Sequence, residues 1–293
     1  MPALADPIDH LLALDPGGRG IGAFFVQGGA LAAATALHRA RRVLITTGFV
    51  VADGGAETDG PPGAAVLGRA LRRLGAGVRY VTDATTRPLL AATLGVLHEP
   101  ADVIVYPDGP DAACRVLADV KPSHLVAIER PGRCRSGDYL NARGLSVAAW
   151  NPPLDDLFLP PAARAARRRL VTIGVGDGGN EIGMGNVRAR IARQGPLMAR
   201  IAATVKVNHL VVAGVSNWGA YGIVAQLARL AGEPLVHTPA LERQMIEACV
   251  AAGGHDGLTR RREATVDGLS LDTHAAIVEL LGVSWKRPGG RPA

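Results

Sequence analysis

Short runs of β-branched and other apolar residues alternate along the chain with longer Ala/Leu/Arg segments of helical period. The short runs are Val43–Thr47, Val78–Thr82, Val103–Tyr106, Leu125–Glu129, Leu170–Val175 and Leu210–Val215. Each is apolar almost throughout, as in a strand covered on both faces. Gly63–Leu74, Thr85–Leu97, Asp111–Val120, Val187–Gln194 and Tyr221–Ala231 read as the intervening helices, and Pro239–Ala252 and Asp272–Leu281 as two that close the chain. This alternation predicts an α/β fold: a doubly wound, mainly parallel sheet with helices on both faces. The rhythm breaks over residues 131–169, where PGRCRSGDYLNARG and NPPLDDLFLPP lack either period. The expectation is one α/β catalytic domain over 1–285 with an irregular insertion there, and a disordered tail over 286–293.

Composition narrows the function classes. Aromatics make up only 4% of the 293 residues, so Val, Leu, Ile and Ala must build the core. The formal net charge is +6, yet Lys121, Lys206 and Lys286 are the only lysines, which marks an arginine bias rather than a nucleic-acid surface. The basic runs Arg164–Arg169 and Arg260–Arg262 have no interleaved aromatics and read as solvated faces. No nucleic-acid partner is expected; an acidic small molecule suits a basic chain. Cys114, Cys134 and Cys249 have no metal-ligand or paired spacing. No apolar run approaches the roughly 20 residues that span a bilayer, and the first residues resemble neither a signal nor a transit peptide. No membrane partner and a cytoplasmic location are therefore expected, with a homodimer admitted.

Ligands of open α/β sheets bind beyond the carboxyl ends of the strands. Here the expected strand ends lead into Thr47-Gly48, with Glu57 and Asp59 soon after, then into Asp83, Pro107-Asp108, Glu129-Arg130, Asp177-Gly178-Gly179-Asn180-Glu181 and Ser216-Asn217-Trp218. Parallel strands would bring these polar loops to one edge. Helix N-termini there, near Pro61 and Ser216, could hold a ligand carboxylate or be plain caps. Gly174–Gly179 also matches the G-x-G-x-x-G dinucleotide pattern, which supports an NAD-dependent oxidoreductase as an alternative. Asp177 and Glu181 would repel a diphosphate in that loop, and the acidic residue expected about 20 positions on is missing. No NAD is expected.

The same loop, GVGDGGNEIGMGNV at Gly174–Val187, resembles the central motif of the D-glutamate cyclase C-terminal domain family. Thr47–Phe49 and Glu57–Gly75, Val81–Asp83, Glu129–Gly132, Gly137–Gly144, Gly214–Gly222 and Val266–Leu269 resemble it in the same order. The pattern departs at Ala142, where a methionine is expected. The resemblance implies a hydro-lyase that converts D-glutamate to 5-oxo-D-proline and water by attack of the α-amine on the γ-carboxyl.

Such a reaction needs proton transfer from the ammonium and activation of a carboxylate. Asp177, Glu181, Glu57 and Asp59 are the candidate acid/base residues. Asp177 and Glu181 are also candidate Mg²⁺ or Mn²⁺ ligands, because hard cations take carboxylate oxygens. Asn180, Gly178, Gly179, Thr47, Gly48, Asp83, Glu129, Asn141, Arg143, Ser216, Asn217 and Trp218 are candidate substrate contacts, Arg143 as a carboxylate clamp. His209 and His237 are expected to serve structure, and His255 is a lesser site candidate. A non-catalytic amino-acid or nucleotide-binding module is the remaining alternative.

Overall fold

A computed structural model describes residues 6–51, 54–159 and 170–286. The Arg164–Arg169 run and residues 287–293 of the expected tail lie outside them. Six parallel strands form one sheet: β1 (Arg42–Thr47), β2 (Gly77–Thr82), β3 (Val103–Val105), β4 (His124–Ile128), β5 (Val171–Gly176) and β6 (His209–Val212). Their order is β3-β2-β1-β4-β5-β6, so the winding reverses between β1 and β4. The crevice of a doubly wound sheet opens at that reversal. An antiparallel hairpin, β7 (Thr265–Val266) with β8 (Leu269–Ser270), stands apart from the sheet.

The helices are α1 (Pro7–Leu12), α2 (Gly29–Leu37), α3 (Pro61–Arg73), α4 (Arg87–Val96), α5 (Ala112–Val120), α6 (Arg188–Ala192), α7 (Pro196–Ile201), α8 (Ser216–Ala231), α9 (Pro239–Ala251) and α10 (Leu271–Ser284). Alternation along the strands sorts side chains between two cores. Val43 and Ile45 of β1 join the larger one, with α2, α3 and α8; Leu44 joins the smaller one, with α5 and the short 3-10 helix Leu154–Phe158. Helices therefore cover both faces. Helix α8 sits tight on the sheet because Gly219 has no side chain: a Cβ there would lie 2.5 Å from Val175 Cγ1. No described helix is long and apolar enough to cross a membrane.

The expected strands and helices are present within a few residues at their ends, while α1, α2, α7 and the hairpin are additions. Residues 131–159 hold one 3-10 helix and isolated bridges, including Pro131 with Glu181 and Leu140 with Ser146. The segment is pinned by side chains. Arg133 donates to both carboxylate oxygens of Asp155 at 2.8 Å, and Asn151 donates to Val50 O at 2.7 Å. It thereby forms a wall over the strand ends.

Candidate active site

The turns after β1, β4 and β5 meet the start of α8 in one layer of buried carboxylates. Asp59 Oδ1 accepts from Asn217 N at 2.8 Å and Asp59 Oδ2 from Ser216 N at 3.0 Å. Asp177 Oδ2 accepts from the same Ser216 N–H at 3.2 Å, and Ser216 Oγ donates to Glu129 Oε2 at 2.5 Å. The α8 N-terminus, a candidate seat for a ligand carboxylate, is thus filled by the protein's own acids. The N-terminus of α3 is filled as well: Asn217 Oδ1 accepts from Gly60 N and Gly63 N at 3.0 and 2.8 Å. Unpaired helix-end N–H groups take the nearest acceptors, charged or neutral, and here those are side chains.

Oxygens of Asp59, Glu129 and Asp177 lie within 4.8 Å of one another. An all-oxygen set of this kind suits Mg²⁺ or Mn²⁺. Arg19 already supplies one positive charge, with Nη1 2.5 Å from Asp177 Oδ1 and Nη2 paired to Asp267. Burial disfavours the Arg19 cation, but the charges of Asp177 and Asp267 outweigh it and raise its pKa further. The carboxyls move upward. Burial, then the charge of Asp267, lifts Asp59 to about 7. Burial also raises Glu57, Glu129 and Asp177 well above the ordinary range; Asp267 adds to this at Glu57, Glu181 at Glu129, and Arg19 opposes it at Asp177. Acid outnumbers base here, so the site favours protonated carboxyls or an added cation.

A cavity of about 210 Å³ opens beside this layer. Among the expected site residues, Glu57, Glu129, Asn141, Arg143, Gly178, Asn180 and Glu181 line it. The Glu57 carboxylate accepts no hydrogen bond from the described residues; Gly257 lies against it, where a Cβ would be 2.3 Å from the carboxyl carbon. Glu181 differs. Its Oε1 accepts from Gly178 N at 2.7 Å and its Oε2 from Gly179 N at 2.8 Å, so it clamps its own loop. Those amides are the ones a diphosphate would need, so the G-x-G-x-x-G resemblance does not extend to a free phosphate cradle. Asn180 donates to Leu140 O at 2.7 Å, and Asn141 Oδ1 accepts from Arg143 N and Leu145 N at 3.0 Å, which shapes the turn that carries Arg143.

Other expected contacts lie away from the cavity lining. Asp83 pairs with fully buried Arg130 and accepts from Thr86 N at 2.8 Å. Arg130 also donates to Gly48 O at 2.9 Å, so this pair braces the turn after β1. Thr47 is buried below, next to Gly60, and Gly179 packs on Ile191. Trp218 is core: its Nε1 donates to His274 Nδ1 at 2.9 Å, and His274 Nε2 is 3.2 Å from Val266 O. An apolar helix face so close to the sheet leaves the indole no route to the cavity. His255 contacts Arg262 at 3.2 Å behind the Glu57 loop.

The lining residues not expected from the sequence include Arg19, Gly257, Arg260 and Asp267. Asp267 and Gly268 have φ of 53° and 74° and form the two-residue turn of the β7–β8 hairpin. Asp-Gly between two short β-prone segments was the available signal.

A family model described as D-glutamate cyclase-like, C-terminal, matches residues 8–282. Human mitochondrial D-glutamate cyclase is 37% identical over 238 residues, which cover 75% of this chain and 38% of that protein. The chain therefore spans about two-fifths of the relative's length. Among solved structures, an exopolyphosphatase-related protein from Bacteroides fragilis aligns with a TM-score of 0.43 at 10% identity, covering 88% of this chain and 57% of that one. The exonuclease RecJ bound to manganese aligns at 0.39 and 13%, covering 76% and 43%. Both scores are too low to tie this chain to either protein.

Proposed function

This chain belongs to the D-glutamate cyclase-like C-terminal domain family, and from that premise we propose that it is a lyase closing D-glutamate into 5-oxo-D-proline and water. The observation that carries the reading is the Glu57 carboxylate, raised in pKa and free of hydrogen-bond partners among the described residues, on the wall of a cavity it shares with Glu129.

The chemistry sets what is required. The α-ammonium must lose two protons as its nitrogen bonds to the γ-carbon, and one γ-oxygen must gain two as it leaves as water. The net charge of the substrate does not change. The enzyme's task is therefore proton relay from nitrogen to oxygen with the chain held folded. Glu57, in its deprotonated form, takes a proton from the ammonium. Glu129, whose burial favours the protonated form, donates one to the departing oxygen, and the second proton follows the same relay. Each such step contributes roughly 10²–10⁴-fold. Holding amine and carboxyl in contact distance adds more. The acid-rich floor attracts the ammonium, and Arg143, without an ion-pair partner among the described residues, is placed to receive a carboxylate.

Alternatively, Asp59, Asp177 and Glu129 would hold a divalent cation in place of the Glu129 proton. When bound, it would supply positive charge against the γ-carboxylate. Asp177 is assigned there as a ligand and as the partner of Arg19, Asp59 as the anchor of α8, and Glu181 as the clamp of its loop.

The test is incubation of the protein with D- and L-glutamate, each with and without Mg²⁺ or Mn²⁺, followed by chromatography for 5-oxoproline. Formation from the D-enantiomer supports the reading. Ligand binding with no product under any of these conditions would leave a binding module instead.

A further inference from the structure

We propose that Arg260 is the specificity-determining residue of this cavity, its guanidinium taking a carboxylate of the ligand. The inference rests on the acidic-amino-acid reading above and deepens it. Sequence pattern placed Arg260 in a solvated basic run, but the three arginines have different fates. Arg261 pairs with Glu263 at 3.6 Å and Arg262 contacts His255 at 3.2 Å. Arg260 lines the cavity, and its guanidinium has no partner among the described residues.

The loop that carries it is built for position. Buried Asp256 accepts from Leu258 N at 2.9 Å and Thr259 N at 2.8 Å with one carboxylate oxygen, and from Gly268 N at 2.7 Å with the other. Its carbonyl accepts from Arg260 N at 2.8 Å. Arg260 itself is held at φ 60°, a left-handed conformation that side-chain-bearing residues rarely take. Backbone strain of this kind persists where the surroundings over-determine it, and here the Asp256 hydrogen bonds do so. The same loop places Gly257 against Glu57. One rigid turn thus fixes both a carboxylate that attracts ammonium and a guanidinium that attracts carboxylate. Arg19, by contrast, is already bound to Asp177 and Asp267.

A planar guanidinium can hold a carboxylate by two parallel hydrogen bonds, so the ligand class is an amino acid bearing a second acid group. Arg260→Gly is the informative variant, because glycine accepts a left-handed backbone and the melting temperature should not fall below that of the wild type. Expected are a rise of roughly 10- to 100-fold in KM for D-glutamate with kcat changed only a few-fold, and equal weakening of glutarate binding by calorimetry. Glutarate carries both carboxylates and no amine, so it binds without turnover. Arg260→Lys should fall between the two, and Arg261→Gly should match wild type. Unchanged glutarate affinity in Arg260→Gly, or no glutarate binding to wild type, overturns the proposal while leaving cyclisation to stand on its own assay. Arg260-dependent glutarate binding without any 5-oxoproline formation upholds it and removes the cyclase reading.

Discussion

Glu57 and Glu181 line the same cavity and differ in what they face. Glu181 gives both oxygens to the amides of Gly178 and Gly179, so its negative charge is met by the turn it closes. Glu57 has no such donors, lies against Gly257, and feels the charge of Asp267. Glu181 is committed to holding its turn, whereas Glu57 has no such commitment, and burial together with the neighbouring acids raises its proton affinity. Position at a strand end does not separate the two cases. The donors within reach do.

The largest expected effect tests Glu57. Glu57→Gln keeps the shape and removes the titration, and turnover should fall by roughly 10²–10⁴-fold, about 3–5 kcal/mol in the barrier. The melting temperature should hold, because Gln keeps the shape and adds no charge at a site that already disfavours the ionised form of Glu57. Near-normal 5-oxoproline production by the folded variant would erase the contrast with Glu181.

The Asp83–Arg130 pair supplies a buried acid that is fully neutralised. Asp83→Asn leaves the Arg130 cation without its counter-charge, and loss of about 3–5 kcal/mol of stability in a denaturant melt is expected. A shift within error would mean that Gly48 O and Pro152 O suffice for Arg130. Glu181→Gln should cost less, about 1–3 kcal/mol, since one amide of the loop then faces an NH₂ group. Its activity should track the folded fraction, recovering on cooling. A large kcat loss in a fully folded sample would return Glu181 to the acid/base role suggested by its place in sequence.

The smallest effect concerns pH. With Asp59 raised to about 7, the folded state prefers its protonated form. That preference is fully present below the unfolded value near 4 and is lost as pH rises through about 7. Melting temperature should therefore drift downward across this window, and Mn²⁺ or Mg²⁺ should raise it at pH 8 more than at pH 5. Absence of any cation effect in the wild type, or its survival in Asp59→Asn, would argue against the three-carboxylate site.

The six strands were legible because parallel strands buried on both faces repeat one simple pattern, and the loops after β1, β4 and β5 followed from it. What sequence spacing could not supply was the partner of each acid. Asp83 and Asp177 look alike in sequence, both just past a strand, yet one meets Arg130 under the turn and the other meets Arg19. Arg19 was unreadable because it sits in a glycine-rich stretch with no period, and its role depends on residues far along the chain. Arg260 was misplaced for a related reason: three consecutive arginines look equivalent until the backbone turns one of them inward.

Arg19 and Asp177 are 158 positions apart in sequence. The charge balance of the pocket is consequently a property of the finished tertiary structure rather than of any single βα unit. During refolding, contacts of such long span are entropically costly to close and tend to form late. Strand pairing can be well advanced while the carboxylates still lack their internal cation. Ordered secondary structure should then appear ahead of a competent pocket, and the few residues around Arg19, at the far N-terminal side of the chain, would act as the latch that completes it.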